Sequence, residues 1–179
     1  LISTFTMITM YQNALSRKRM REIASFDILT GMKNRNAYER EREDWASRCS
    51  VSLSCIYMDV NGLHDLNNSE GHDKGDRMLQ VVALEIREMF GKNNCYRIGG
   101  DEFCVLLRDG DKEHACARDF VRRLDERRKE LDFLPTVSFG SAEISSENVV
   151  TVKDRADHNM YRYKKERKAH RISEDAGEE

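Results

Sequence analysis

Arg97-Ile98-Gly99-Gly100-Asp101-Glu102-Phe103 is the stretch on which the fold of this chain turns. Two adjacent glycines, followed at once by two carboxylates, lie between the apolar runs Cys95 to Ile98 and Phe103 to Leu107. Such runs on either side of a Gly-Gly pair predict a β-hairpin, with the glycines supplying the positive φ that the tightest hairpin turns need. The pair also strips side chains from the tip, so that a bulky anion can approach the backbone. Asp101 and Glu102 add hard oxygen ligands beside it, which is how a protein holds Mg²⁺ against phosphates rather than in an all-protein cage. A hairpin with a solvated acidic tip accounts for these four residues as well, so the decision rests on the remainder of the chain.

Upstream, Val51-Ser52-Leu53-Ser54-Cys55-Ile56-Tyr57-Met58-Asp59-Val60 is dense in apolar and β-branched residues and predicts a buried central strand. Asp59 stands at its carboxyl end, where open α/β sheets place ligands. A buried aspartate there needs an ion, a cation or hydrogen bonds to offset its desolvation. Asn61 to Asp76 follows as a polar, turn-rich stretch that reads as a binding loop, with Asn61-Gly62, Asn67-Asn68, Gly71-His72 and Gly75-Asp76 in it. A helix from about Lys74 to Phe90 then buries Met78, Leu79, Val82, Ala83, Ile86 and Phe90, whose spacing is helical.

Beyond the hairpin, a helix from about Glu113 to Leu131 turns Cys116, Phe120, Leu124 and Leu131 inward and a charged face to solvent. Thr136 to Ile144 is another strand, placed after Pro135, with Gly140 marking a bulge or a close approach. The last helix, about Val152 to Lys168, buries Val152, Ala156, Met160 and Tyr163. On it Lys164 and Lys168 share one face and can meet polyphosphate oxygens as point charges.

Ahead of all this, Asn36 to about Arg48 forms a helix carrying Trp45 as a core residue, after a break at Gly31. The apolar stretch Leu1 to Tyr11 runs into the basic segment Arg17-Lys18-Arg19-Met20-Arg21, and two readings of it stand open. It is the tail of a transmembrane helix with a basic cytoplasmic flank, or a plain helix that packs on the domain or on a second copy of itself. In both, residues 1–25 are a lead-in from an upstream module, 26–170 form the domain, and 171–179 are a disordered acidic tail.

A length of 179 residues with 39% hydrophobic content fits one domain plus an extension. Thirty basic residues against 32 acidic ones leave a net charge of -2, which gives no general reason to bind nucleic acid or a membrane surface. The five cysteines show no Cys-x-x-Cys pair and read as buried thiols of a reducing compartment, not as a zinc site or disulfide framework. The element order, helix-strand-helix-hairpin-helix-strand-helix, predicts an α/β (α+β) domain with a mixed sheet.

Several separated motifs together resemble the GGDEF family, the diguanylate cyclases. They are Asp27-x-Leu29-Thr30-Gly31-x-x-Asn34-Arg35, Asp59-Val60-Asn61, Asn67, Gly71-His72-x-x-Gly75-Asp76-x-x-Leu79, Arg97-x-Gly99-Gly100-Asp101-Glu102-Phe103, Thr136-Val137-Ser138-x-Gly140 and Ala156-Asp157-x-x-Met160-Tyr161-x-x-Lys164, in the family's order and spacing. The resemblance implies a nucleotide-cyclase or polymerase-palm-like fold and the condensation of two GTP into cyclic di-GMP plus two pyrophosphates by a homodimer. It implies that Asp59, the carbonyl of Val60 and Asp101 hold two Mg²⁺ ions, with Mn²⁺ as a substitute, and that Asp101 and Glu102 are the catalytic pair. Asn67 and Asp76 would read the guanine edge, Gly99 and Gly100 would carry the triphosphate, and His64, Lys164 and Lys168 would meet its oxygens.

The resemblance also implies a cytoplasmic domain of a bacterial protein, in one alternative membrane-anchored, controlled by an upstream sensor domain and without a nucleic-acid partner. The sequence departs from the family at several places. His64 and Asn68 replace a frequent lysine and aspartate, and Arg167-Lys168-Ala169 replaces a final Gly-Arg-Asn. Phe90-Gly91-Lys92-Asn93 stands where an Arg-x-x-Asp product site usually precedes the hairpin, so no inhibitory product site is expected. These departures keep open a second reading, a weak or inactive domain that binds GTP as a regulatory or protein-interaction module.

Overall fold

The structure is a computed structural model that describes residues 2–48, 53–108, 113–144, 154–162 and 165. Its elements run α1 (Ile2–Ile23), β1 (Lys33–Asn34), α2 (Arg35–Arg48), β2 (Leu53–Val60), α3 (Leu63–Glu70), α4 (His72–Phe90), β3 (Cys95–Arg97), β4 (Glu102–Arg108), α5 (Glu113–Arg128) and β5 (Val137–Ile144). A last helix, α6, covers residues 154–162. The five strands form one mixed sheet in the order β1-β3-β4-β2-β5, with β1 parallel to β3 and the other neighbours antiparallel.

Period-two alternation divides β2 between two cores. Ile56, Met58 and Val60 face one side with Phe103 and Val105 of β4, where Met78, Leu79, Val82 and Ile86 of α4 and Phe120 and Leu124 of α5 cover them. Cys55 and Tyr57 face the other with Cys104 and Leu106, under Ala37 and Tyr38 of α2 and Ala156 and Met160 of α6. Burial on both faces is why β2 reads as an almost unbroken apolar run. The α4 to α5 contact also holds a polar latch, the buried Glu85 carboxylate accepting from Arg123 at 2.7 Å and from Arg127 at 3.0 Å. Two donors satisfy a charge that burial alone would make costly.

The hairpin, the apolar stripe of α4 and the inward faces of α5 and α6 follow the expectations wherever they are described. Cys49, Val152, Tyr163, the 171–179 tail and the side chains of Trp45 and Cys116 lie outside the described residues. The stretch read as a loop, Asn61 to Asp76, is instead mostly helical. Its two helices meet at Gly71, and α4 starts at His72. Leu63 and Leu66 supply the reason, since both pack against the α4 side of the core and give a polar sequence one face to bury. The short β1, beside β3, was not legible because two residues carry no periodicity.

In α1 the large residues Phe5, Met7, Ile8, Met10 and Tyr11 are exposed, and no helix among the described residues is long and apolar enough to cross a membrane. At the other end of the chain, Gly140 is a close approach and not a bulge. A Cβ there would overlap the Ala156 carbonyl and the Met160 amide, so α6 lies backbone against backbone on β5, and Asn159 donates to the Ser141 carbonyl at 2.9 Å. Gly140→Ala is therefore expected to push α6 off the sheet and to destabilise the fold by about 3 kcal/mol. For a chain of this size that lowers the thermal unfolding midpoint by roughly 10 °C, measurable by circular dichroism.

Candidate active site

The carboxyl end of β2 and the β3–β4 turn meet through the sheet ladder. Asp59 stands opposite Glu102, and the Val60 amide donates to the Asp101 carbonyl at 3.0 Å. On the other edge of β2, the Asn61 amide donates to the Thr136 carbonyl at 2.9 Å, and the Asn61 side chain to Thr136 and Ser138. The strand end is thus tied on both sides. Asp59, Val60, Asp101 and Glu102, predicted to act together, are brought together by this register.

The turn differs from the expected one. Neither Gly99 nor Gly100 is among the glycines with positive φ, which are Gly31, Gly62, Gly71 and Gly91. The Glu102 carbonyl accepts from both the Ile98 and the Gly99 amides, so the loop is wider than a two-residue turn and needs no left-handed residue. What it needs is room. A Cβ on Gly99 would overlap the Glu102 carboxylate, while Gly100 faces open space, free for a ligand to approach.

Two side chains that sequence reasoning gave no role hold this turn. Arg97 donates to the Gly100 carbonyl, at 2.7 Å from Nη2, and to Asp27 at 3.0 Å. Asp27 also accepts from the Thr30 amide at 2.9 Å and its hydroxyl at 2.6 Å. The spacing Asp-x-x-Thr before Gly31 is the signal for such a side-chain-capped turn. The second is Tyr57, fully buried, whose hydroxyl donates to Glu102 Oε1. Burial, then that hydrogen bond and the nearby Glu102, Asp157 and Asp59 charges, push the phenol far above its ordinary value, so it stays a donor. Its position in an apolar strand gave no hint of this.

On α3, Asn67 Oδ1 is buried and has no hydrogen-bond partner within the protein. Gly75 makes the space for it, because a Cβ at that position would overlap the Asn67 amide. A buried acceptor left without a partner is costly, which fits a group that awaits a ligand donor. Asp76 follows Gly75 directly and is exposed at the start of α4. His64 is exposed, with Nε2 at 3.0 Å from the Asn68 amide nitrogen one turn along. Lys164 and Lys168 lie outside the described residues.

Among the described residues no three His, Cys, Asp or Glu side chains are grouped to hold a metal ion by themselves. The donors that do converge, two carboxylates and the backbone around Val60, are hard oxygens and suit a divalent cation that takes its remaining ligands from a bound phosphate.

Residues 24–170 match the family model described as Diguanylate cyclase, GGDEF domain. A 99-residue stretch, 55% of the chain, is 38% identical to the Cyclic di-GMP phosphodiesterase PdeB of Shewanella oneidensis and covers 11% of that protein. A longer match of 159 residues, 80% of the chain, is 28% identical to the Diguanylate cyclase DgcN of Escherichia coli K12 and covers 38% of it. The chain therefore spans well under half the length of these curated relatives. Among solved structures, the coiled coil and GGDEF domain of DgcB from Caulobacter crescentus, in complex with c-di-GMP, superposes with a TM-score of 0.77. That comparison covers 89% of this chain and 91% of the other at 21% identity, and it establishes a shared fold.

The clamp beneath the turn has a pH signature. Burial alone would raise the Asp27 carboxyl, but hydrogen bonds from Thr30 and Arg97 outweigh it and hold it below the ordinary carboxylate value. A depressed folded value stabilises the fold above the unfolded pKa, and that contribution is lost as pH falls through the folded one. Urea unfolding is expected to give a native stability that declines below about pH 4, with a shallower decline in Asp27→Asn.

Proposed function

Because the chain belongs to the GGDEF family of diguanylate cyclase domains, we propose that it condenses two GTP into cyclic di-GMP and two pyrophosphates, as a homodimer with one GTP on each domain. The observation that carries this reading is the β2–β4 register, which sets Asp59 opposite Glu102 and ties Val60 to Asp101 beside a turn stripped of side chains. Asp59, the Val60 carbonyl and Asp101 would hold two Mg²⁺ ions, or Mn²⁺ in their place. Bound there, they supply Lewis-acid stabilisation of the attacking and leaving oxygens. Asp101 takes the proton of the 3′-hydroxyl as it attacks the partner nucleotide's α-phosphate, and Glu102 supports the turn that presents Asp101.

Asn67 Oδ1 accepts from a guanine N–H, and Asp76 adds a second acceptor for the same edge. A base without those donors leaves Asn67 unpaired in its buried position, which is the physical basis of selection for GTP. The triphosphate lies over Gly99 and Gly100, with His64, Lys164 and Lys168 as its cationic contacts. Phe90 is buried in the core, so the stretch Phe90 to Asn93 presents no cation at that position and no inhibitory product site is expected there. Residues 1–25 act as the lead-in from an upstream sensor, and the exposed apolar side chains of α1 suit pairing with a second copy. The free, buried thiols Cys55, Cys95 and Cys104 suit a reducing, cytoplasmic setting.

One observation favours a second reading, a GTP-binding regulatory module without turnover. His64 is engaged with Asn68, which weakens a phosphate contact already reduced by its mostly neutral state. Incubating an artificially dimerised chain with GTP and Mg²⁺ and analysing the products separates the two. Cyclic di-GMP is the expected outcome, and GTP binding by calorimetry with no product at high protein concentration would establish the regulatory module instead. Asp101→Ala is expected to abolish product formation with an unchanged unfolding midpoint. Asn67→Ala is expected to raise the KM for GTP about tenfold or more, the cost of one buried hydrogen bond, in a steady-state assay.

A further inference from the structure

Tyr57 and Glu102 are diagonal neighbours across the β2–β4 ladder, since Tyr57 pairs with Cys104 and Asp59 with Glu102. Side chains so placed lie roughly 7 Å apart at the backbone, within reach of an aromatic ring but not of a short polar residue. The ring is anchored, with 1% of its surface exposed, and only its hydroxyl emerges from the apolar layer, at Glu102 Oε1. Glu102 is held a second time by its own backbone carbonyl, which takes the Ile98 and Gly99 amides. Its carboxylate occupies the space that a side chain on Gly99 would fill. Strand, phenol, carboxylate and turn backbone thus form one continuous stack.

We propose that Tyr57 is a positioning residue of this site: its hydroxyl fixes the Glu102 carboxylate beneath Gly99, and Glu102 so held fixes the backbone that presents Asp101 to Asp59. Without the hydroxyl, the carboxylate faces the Asp59 and Asp157 charges with no donor from below and swings outward. The turn over Gly99 then loses its floor. Tyr57 touches neither the nucleotide nor the reacting atoms, so it affects how the turn is held in the reaction more than how tightly GTP binds. This assignment rests on the reading of Asp101 and Asp59 as the reacting end of the sheet.

Tyr57→Phe tests it, because the variant keeps the buried ring and removes only the hydroxyl; a thermal unfolding curve verifies the fold. In the full chain as a forced dimer, kcat is expected to fall about tenfold to a hundredfold while the KM for GTP changes little, the size of one hydrogen bond to a charged group. In a Glu102→Gln background the same substitution is expected to have little further effect, since Tyr57 acts through that carboxylate. An equal fall in both backgrounds, or an unchanged kcat, overturns the proposal. A second arm needs no turnover: crystal structures of the native chain and the variant are expected to differ in the Glu102 rotamer and in residues 98–101, and an unmoved carboxylate over an unmoved turn overturns it. If the native dimer makes no product, the cyclase reading fails by itself and the crystallographic comparison still decides the role of Tyr57.

Discussion

The antiparallel register of β2 on β4 is the constraint from which the rest of the molecule follows. Seven consecutive residues of β2, Leu53 to Asp59, each have a fixed partner on β4, and the apolar ones are buried on both sides of the sheet. A slip of one residue would turn Ile56 and Met58 out of their core and carry Asp59 to the opposite face. The packing that stabilises the sheet therefore also fixes which carboxylates meet at its end. Catalytic placement here is a by-product of core burial, and that is why acidic groups, which repel one another, can be held side by side.

Space, more than backbone freedom, explains the glycines that surround the site. Gly75 leaves room for the Asn67 amide, Gly99 for the Glu102 carboxylate and Gly140 for the backbone of α6. None of the three is left-handed. In each case a methyl group would occupy a position already taken by a polar side chain or a main chain, so two elements meet more closely than side chains allow. The positive-φ glycines, by contrast, stand at element ends, where Gly62, Gly71 and Gly91 start or stop helices.

Charge is used locally. A net charge of -2 hides an arrangement in which Arg97 is committed to the turn and to Asp27, and Arg123 and Arg127 to Glu85. These cations satisfy carboxylates and carbonyls that folding buries, and so hold the scaffold. The Asp27 to Arg97 link also joins the segment that follows α1 to the tip of the hairpin, so the lead-in and the glycine turn are mechanically connected through one ion pair.

Much of this was legible in the amino-acid order. The apolar run ending in Asp59, the helical stripe from Met78 to Phe90 and the hairpin around Gly99 carry their own periodicity, because burial on one face imposes a repeat of two or of about four. The motif spacing singled out Asp59, Asn67, Asp76, Asp101 and Glu102, whose chemistry is intrinsic to their side chains. What only the tertiary structure decided is who holds them: Tyr57 beneath Glu102, Arg97 across to Asp27, Gly75 beside Asn67, and a helix where a polar loop was expected. Those contacts join residues 8 to 70 positions apart through a register and a packing that no local window contains, so a sequence can name the reacting groups while only the fold can supply their supports.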